Sequence, residues 1–366
     1  MTVGVECPIR NVRVSAYRVP TAGPESDGTI EWNATTLVLV EVDAGDETGI
    51  GYTYADTSTA TLVAHVLDKA ILGKDALQTG ALWKGMVAAV RNLGRQGIAA
   101  MAISAMDVAL WDLRGKLLGA RVSDLIGAVR DDVPIYGSGG FTSYSTEQLA
   151  EQLGGWVSAG IPRVKMKIGR EPTSDPSRVE AARKAIGPTA ELFVDANGAY
   201  QRKQAISLAP VFADLGVTWY EEPVYHLDFT GLARVRDAAP PPIEVASGEY
   251  GYDLSHFTRM LEAGAVDVLQ ADATRCGGFS ALLAVDGLAQ AHHVPLSTHC
   301  APHLHVAAAM ACKQLRHCEY FYDHVRIERM FFDGIPEPRA GTLAPSPSRP
   351  GIGLEFKRPD AEAYAC

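Results

Sequence analysis

A parallel (β/α) barrel with a smaller α+β domain in front of it is the fold class this sequence predicts, on three observations. From Asp132 onward, eight short β-rich runs alternate with amphipathic helical stretches. Before them, residues 11–54 read as antiparallel β and residues 60–127 as mainly helical. The chain has 366 residues and 47% hydrophobic content, enough for one large domain and a smaller one.

In the small domain, Val12–Val19 alternates as a strand does, Thr35–Val42 is β-branched and apolar, and Gly49–Tyr52 follows the turn-rich Asp43–Asp46. Pro20–Asn33 is rich in Pro, Gly, Ser and acidic residues, which predicts a mobile loop. Within Gly97–Leu118, Met106, Ala109, Leu110, Leu113 and Leu117 recur at helical spacing. Asp107 and Asp112 lie inside that helix and are expected to be capping or ion-paired structural groups. The small domain is expected to occupy residues 1–130 and the barrel residues 131–333.

The barrel strands are expected at Val133–Ser138, Arg163–Ile168, Glu191–Ala196, Val217–Glu222, Ile243–Ser247, Val266–Ala271, Val294–Thr298 and His317–Phe321. Helices between them include Ser145–Ala159, Pro176–Ile186, Lys203–Leu215, Ser255–Ala263 and Ala281–His292. After Tyr322 the pattern reads as loop. The prolines of Asp333–Gly353 mark a connection outside the barrel, and the tail, residues 334–366, is expected to return to the small domain.

A net charge of −10 argues against nucleic acid or an anionic membrane as partner. The six cysteines are scattered without a CxxC pair, so neither a zinc framework nor a disulfide scaffold is indicated, and a cytoplasmic location fits. No apolar run approaches a membrane span.

Polar residues fall where a barrel keeps its chemistry, at the C-terminal ends of strands. In Arg163–Gly169 the alternation puts Lys165 and Lys167 on one face and Val164, Met166 and Ile168 on the other. Two lysines side by side at a polar cavity would depress one another's pKa and make one a base; an edge strand with two solvated lysines is the other reading. Asp195, Glu221 and Glu249 close three adjacent strands. Convergent carboxylates need a cation, and all-oxygen ligation favours Mg²⁺ over zinc; Glu222 in place of Glu221 is the alternative ligand. Asp272 and His299 end neighbouring strands, so the carboxylate can orient the imidazole as an acid/base group across the mouth from Lys167. Glu319 ends the last strand: protonated, it could donate to a developing oxyanion; ionised, it would pair with a lysine. His303-Leu304-His305 runs into a helix on which the two rings do not share a face, so it is not expected to bind metal.

Taken in order, the helix Ala102–Asp112, the Lys-Met-Lys of 165–167, the three carboxylates, the Asp272/His299 pair and Glu319 resemble the mandelate racemase subgroup of the enolase superfamily over nearly the whole chain. The resemblance implies a (β/α)7β-type modified TIM barrel with an α+β N-terminal capping domain. It implies Mg²⁺-dependent abstraction of the proton α to a carboxylate, giving an enediolate. Lys167 would be one base, Lys165 would tune it and contact the substrate carboxylate, and His299, oriented by Asp272, would serve the opposite face. Glu319 would donate to the enediolate, and Asn197 would contact substrate. Dehydration of an acid sugar, aldonate or aldarate, to a 2-keto-3-deoxy acid is the expected reaction. Racemisation or epimerisation of a 2-hydroxy acid is the alternative, and a non-catalytic carboxylate-binding barrel is a second one. The resemblance further implies a homo-oligomer. Pro20–Asn33 and Tyr52–Thr59 are expected to cover the barrel mouth, offering Glu25, Asp27, Glu31, Trp32, Tyr52 and Tyr54.

Overall fold

The computed structural model describes residues 6–366. A three-stranded antiparallel sheet, β1 (Ile9–Ser26), β2 (Glu31–Ala44) and β3 (Glu47–Tyr54), opens the chain. Helix α1 (Ser58–Leu62) runs through a π turn at Val63–Leu67 into α2 (Asp68–Ile71), followed by α3 (Thr79–Ala89), α4 (Ile98–Leu117) and α5 (Val122–Leu125). Val40 and Val42 of β2 share an apolar core with Ile103, Met106 and Leu110 of α4. Helix α4 lies on the backbone of β3, where a Cβ at Gly51 would stand 2.2 Å from the Ala105 carbonyl oxygen.

The region expected to be a mobile loop is a hairpin. β1 and β2 stay paired through Pro20↔Ala34, Glu25↔Trp32 and Ser26↔Glu31, with a register shift between Pro20 and Glu25. Pro20, Gly23 and Pro24 break the alternation that sequence reading relies on, but a bulge absorbs them without ending the ladder.

The barrel follows as β4 (Val133–Gly139), β5 (Arg163–Lys167), β6 (Glu191–Asp195), β7 (Val217–Glu221), β8 (Glu244–Ser247), β9 (Val268–Ala271), β10 (Leu296–Thr298) and β11 (Leu315–Phe321). All eight are parallel, and β11 pairs with β4 to close the ring, as the alternating pattern predicts. Seven helices connect them: α6 (Thr146–Ser158), α7 (Asp175–Ile186), α8 (Arg202–Asp214), α9 (Phe229–Ala238), α10 (Leu254–Glu262), α11 (Gly278–Ala291) and α12 (Pro302–Ala309).

After β11 the chain is helical, not loop: α13 spans Tyr322–Phe331. Its buried face carries Asp323, His324 and Glu328 beside Ile327 and Phe331, so polar residues at core positions mask the helical period. Two short strands, β12 (Phe332–Asp333) and β14 (Glu355–Phe356), pair with each other, and β13 (Thr342–Leu343) adds antiparallel to β4. The tail then contacts the small domain: after α14 (Arg358–Ala361), Cys366 N donates to the Ala16 carbonyl at 3.1 Å, and Arg358 pairs with Glu41.

Asp107 and Asp112 are structural, as their place in α4 suggests. Asp107 accepts from Ser280 N at 2.9 Å and Ser280 Oγ at 2.7 Å, fastening α4 to barrel helix α11. Asp112 accepts from Ile50 N and Ile352 N, each at 2.8 Å, and pairs with Lys116 at 2.7 Å. One carboxylate thus joins β3, α4 and the tail. Asp112→Ala leaves two buried N–H groups without their acceptor and Lys116 with the Thr48 carbonyl in place of its ion pair, and is expected to lower unfolding free energy by about 3–5 kcal/mol, read from urea denaturation.

Candidate active site

The inner face of the barrel is layered. Tyr136, Phe193, Trp219 and Val268 fill it in one buried cluster, with the His317 ring tilted against Trp219 at 5.2 Å between centroids. Two residues further along, on the same face of each strand, stand Ser138, Asp195, Glu221 and Glu319. An aromatic floor therefore supports a ring of charge. β5 lies between β4 and β6 with both lysines buried, which rules out a solvated edge.

Lys165 Nζ donates to Glu221 Oε1 at 2.5 Å and lies 2.8 Å from Glu319 Oε1 and 3.5 Å from Asp195 Oδ2. Lys167 Nζ donates to Asp195 Oδ2 at 2.5 Å. Burial alone would lower both ammonium pKa values, but Glu221 and Glu319 at Lys165, and Asp195 at Lys167, more than reverse it, so both lie above the usual lysine range. This corrects the expectation of a depressed lysine. Lys165 does push Lys167 down, yet the carboxylates outweigh it.

Asp195, Glu221 and Glu249 each present an oxygen, all within 4.8 Å of one another. Burial and the neighbouring Asp195 raise Glu221 to about 8. Asp195 is held below the carboxylate range: burial pushes it up, but Lys167 and Lys165 prevail. Glu249 Oε2 is buried without a hydrogen-bond partner. Crowded buried carboxylates with an orphaned oxygen fit a hard, oxygen-seeking dication. Glu222 points elsewhere, taking a hydrogen bond from Ser247 Oγ at 3.2 Å, and burial and Glu249 push it well above the carboxylate range.

His299 Nδ1 lies 2.8 Å from Asp272 Oδ2, and Nε2 lies 3.3 Å from Glu249 Oε2. Burial would lower the imidazole pKa, but Glu249 and the hydrogen bond to Asp272 raise it overall. Asp272 is itself anchored by Thr274 N at 2.7 Å. Glu319 accepts from Ser138 Oγ at 2.6 Å and Cys300 N at 2.7 Å. Burial raises it, but Lys165 and His299 carry it well below the carboxylate range, so it stands as the ionised partner of Lys165. Asn197, in a left-handed conformation at φ 46°, leaves its buried Oδ1 without a partner.

These groups open into a cavity of about 420 Å³ whose lining includes Lys167, Asn197, Glu249, His299 and Glu319. The small domain roofs it with Asp27, Ile30, Trp32, Tyr54 and Asp56. At the hairpin tip, a Cβ on Gly28 would come within 2.5 Å of the Ala196 carbonyl and 2.7 Å of the Ile168 carbonyl, so the roof backbone rests directly on two strand ends. Of the other expected roof residues, Glu31 pairs outside with Arg170 at 3.2 Å, and Tyr52 is buried, donating to Glu328 at 2.8 Å. Glu25 accepts from Trp32 Nε1 at 2.8 Å behind the roof.

Burial, with Asp323 nearby, raises Glu25 from 4.5 to about 8. A carboxyl with a raised folded pKa favours the fold most below its unfolded value and loses that contribution as pH rises through the folded one. Glu25→Gln is therefore expected to match wild type in thermal midpoint near pH 4.5 and exceed it increasingly up to about pH 8, in scans across that range.

Sequence reading did not find Arg275, Tyr250, Cys300 or His324, which also line the cavity. Cys300 Sγ lies 3.2 Å from His299 Nε2, a neighbour signalled only by adjacency in sequence. His303 and His305 are structural: His303 Nδ1 bonds Glu328 at 2.5 Å, and His305 accepts from Ala273 N at 2.8 Å.

Residues 9–127 match the mandelate racemase/muconate lactonizing enzyme N-terminal domain, and residues 148–361 match the enolase C-terminal domain-like family. D-galactarolactone cycloisomerase of Agrobacterium fabrum is 32% identical over 352 residues, covering 92% of this chain and 93% of that protein. A mandelate racemase/muconate lactonizing enzyme-like protein from Rubrobacter xylanophilus superposes with a TM-score of 0.96 at 52% identity, covering 98% of this chain and 100% of that one. L-talarate/galactarate dehydratase from Salmonella typhimurium, liganded with Mg and L-lyxarohydroxamate, superposes at 0.91 with 26% identity, covering 100% and 95%.

Proposed function

The chain belongs to the mandelate racemase/muconate lactonizing enzyme family of the enolase superfamily, and from that premise we propose that it dehydrates an acid sugar to a 2-keto-3-deoxy acid. The observation that carries the reading is one cavity holding Lys167 and the Asp272-backed His299 beside three clustered carboxylates. Mg²⁺ is the cofactor: Asp195, Glu221 and Glu249 would hold it, and when bound it stabilises negative charge developing on the substrate carboxylate.

Lys167 removes the α-proton; for this its ammonium must first give up a proton and its pairing with Asp195. Lys165, fixed between Glu221 and Glu319, keeps a positive charge beside the substrate carboxylate. His299 donates a proton to the β-hydroxyl as the C–O bond breaks. The leaving group departs as water, and the enol product tautomerises to the 2-keto acid. Asp272 holds the ring by Nδ1 and leaves Nε2 to face the cavity. Glu319, ionised, serves to hold Lys165. The curated cycloisomerase and dehydratase relatives also act on sugar acids or their lactones by name, which supports the substrate class.

The test is proton NMR of sugar acids with protein and Mg²⁺ in D₂O. New 3-deoxy methylene signals are expected. Loss of an α-proton signal with an unchanged skeleton would instead make the enzyme a racemase or epimerase.

A further inference from the structure

Resting on the function proposed above, we infer that the substrate carries one carboxylate only, and that its far end is an uncharged, hydroxylated chain or ring. The far end of the cavity is set by the roof, and the roof is acidic. Asp27 and Asp56 both line it. Asp27 is fixed in place: its Oδ1 accepts from Thr29 N at 2.6 Å and Ile30 N at 2.8 Å, which orients the carboxylate and leaves Oδ2 as an acceptor.

The cations that line the cavity are committed. Lys167 pairs with Asp195 at 2.5 Å. Arg275 lies 3.5 Å from Glu249 and 3.7 Å from Asp272, with its guanidinium 5.0 Å from the Tyr250 ring. His324 Nδ1 accepts from Ala301 N at 3.2 Å, and burial and the nearby His299 hold it well below the usual imidazole range, so it is neutral. His299, too, lies against Asp272 and Glu249, so among the described lining residues each cation already faces a carboxylate, whereas the fixed Asp27 and the neighbouring Asp56 would repel a second substrate carboxylate. Hydroxyls suit the same surface: Asp27 Oδ2 can accept from them, and so can the buried, unpartnered Asn197 Oδ1.

The experiment pairs each aldonate with the aldarate of the same configuration. With Mg²⁺ in D₂O, α-proton exchange and product formation are followed for wild type, Asp27→Asn and Asp56→Asn. Asparagine at 27 keeps the acceptor for the turn, and Asp56 is exposed, so both variants are expected to fold. Monoacids are expected to react with kcat/KM about tenfold or more above their diacid partners, and either variant should narrow that ratio. Equal or faster turnover of diacids by wild type would overturn the inference while leaving the dehydratase reading intact. Narrowing in neither variant would overturn the electrostatic cause. Exchange with neither class, Mg²⁺ being bound by calorimetry, would overturn the dehydratase reading itself.

Discussion

Lys167→Ala is expected to lower kcat by about 1,000-fold or more and to abolish exchange of the substrate α-proton with solvent. The side chain reaches the cavity from the C-terminal end of β5, fixed by Asp195 at 2.5 Å. Among the described residues, no other lysine lines the cavity. Lys165 cannot stand in, because Glu221 and Glu319 hold it at 2.5 and 2.8 Å. Truncation leaves Asp195 with Lys165 at 3.5 Å as its remaining ammonium partner, so the variant should retain its fold, checked by circular dichroism. Full activity in folded Lys167→Ala would remove this residue from the mechanism.

Glu249→Gln is expected to weaken Mg²⁺ binding on the order of 100-fold and to reduce activity in step, with partial recovery at high Mg²⁺. The residue supplies one of three clustered oxygens, and its buried Oε2 accepts no hydrogen bond among the described residues. Gln keeps the shape and removes the charge. Calorimetric titration of Mg²⁺ separates this from a structural effect: unchanged affinity with lost activity would take Glu249 out of the metal site.

Much of this was legible in the sequence because period two writes both faces of a barrel strand. Phe193 and Asp195, Trp219 and Glu221, and His317 and Glu319 are each two apart, the first of each pair in the floor and the second in the charged ring. Glu249 lies beyond the end of its strand, yet still shares the site through the adjacency of β7 and β8. What stayed hidden depends on contacts distant in sequence. Arg275 lies three residues past Asp272 and reads as ordinary surface until Glu249 and Tyr250 are seen around it. The roof hairpin hid behind prolines that a bulge accommodates, and α13 behind His324 and Glu328 on its buried face. The lysine pKa runs opposite to the sequence expectation because the local sequence shows the neighbouring ammonium but not Asp195 and Glu221, which come from other strands.

The division of labour between the two bases is tested most directly with His299→Asn, by following α-proton exchange and 3-deoxy product together in D₂O. The two-base assignment requires that the variant still exchange the α-proton through Lys167 while forming product at least about 100-fold more slowly. Product formed at the wild-type rate would contradict it, since the β-hydroxyl would then leave without a proton from His299.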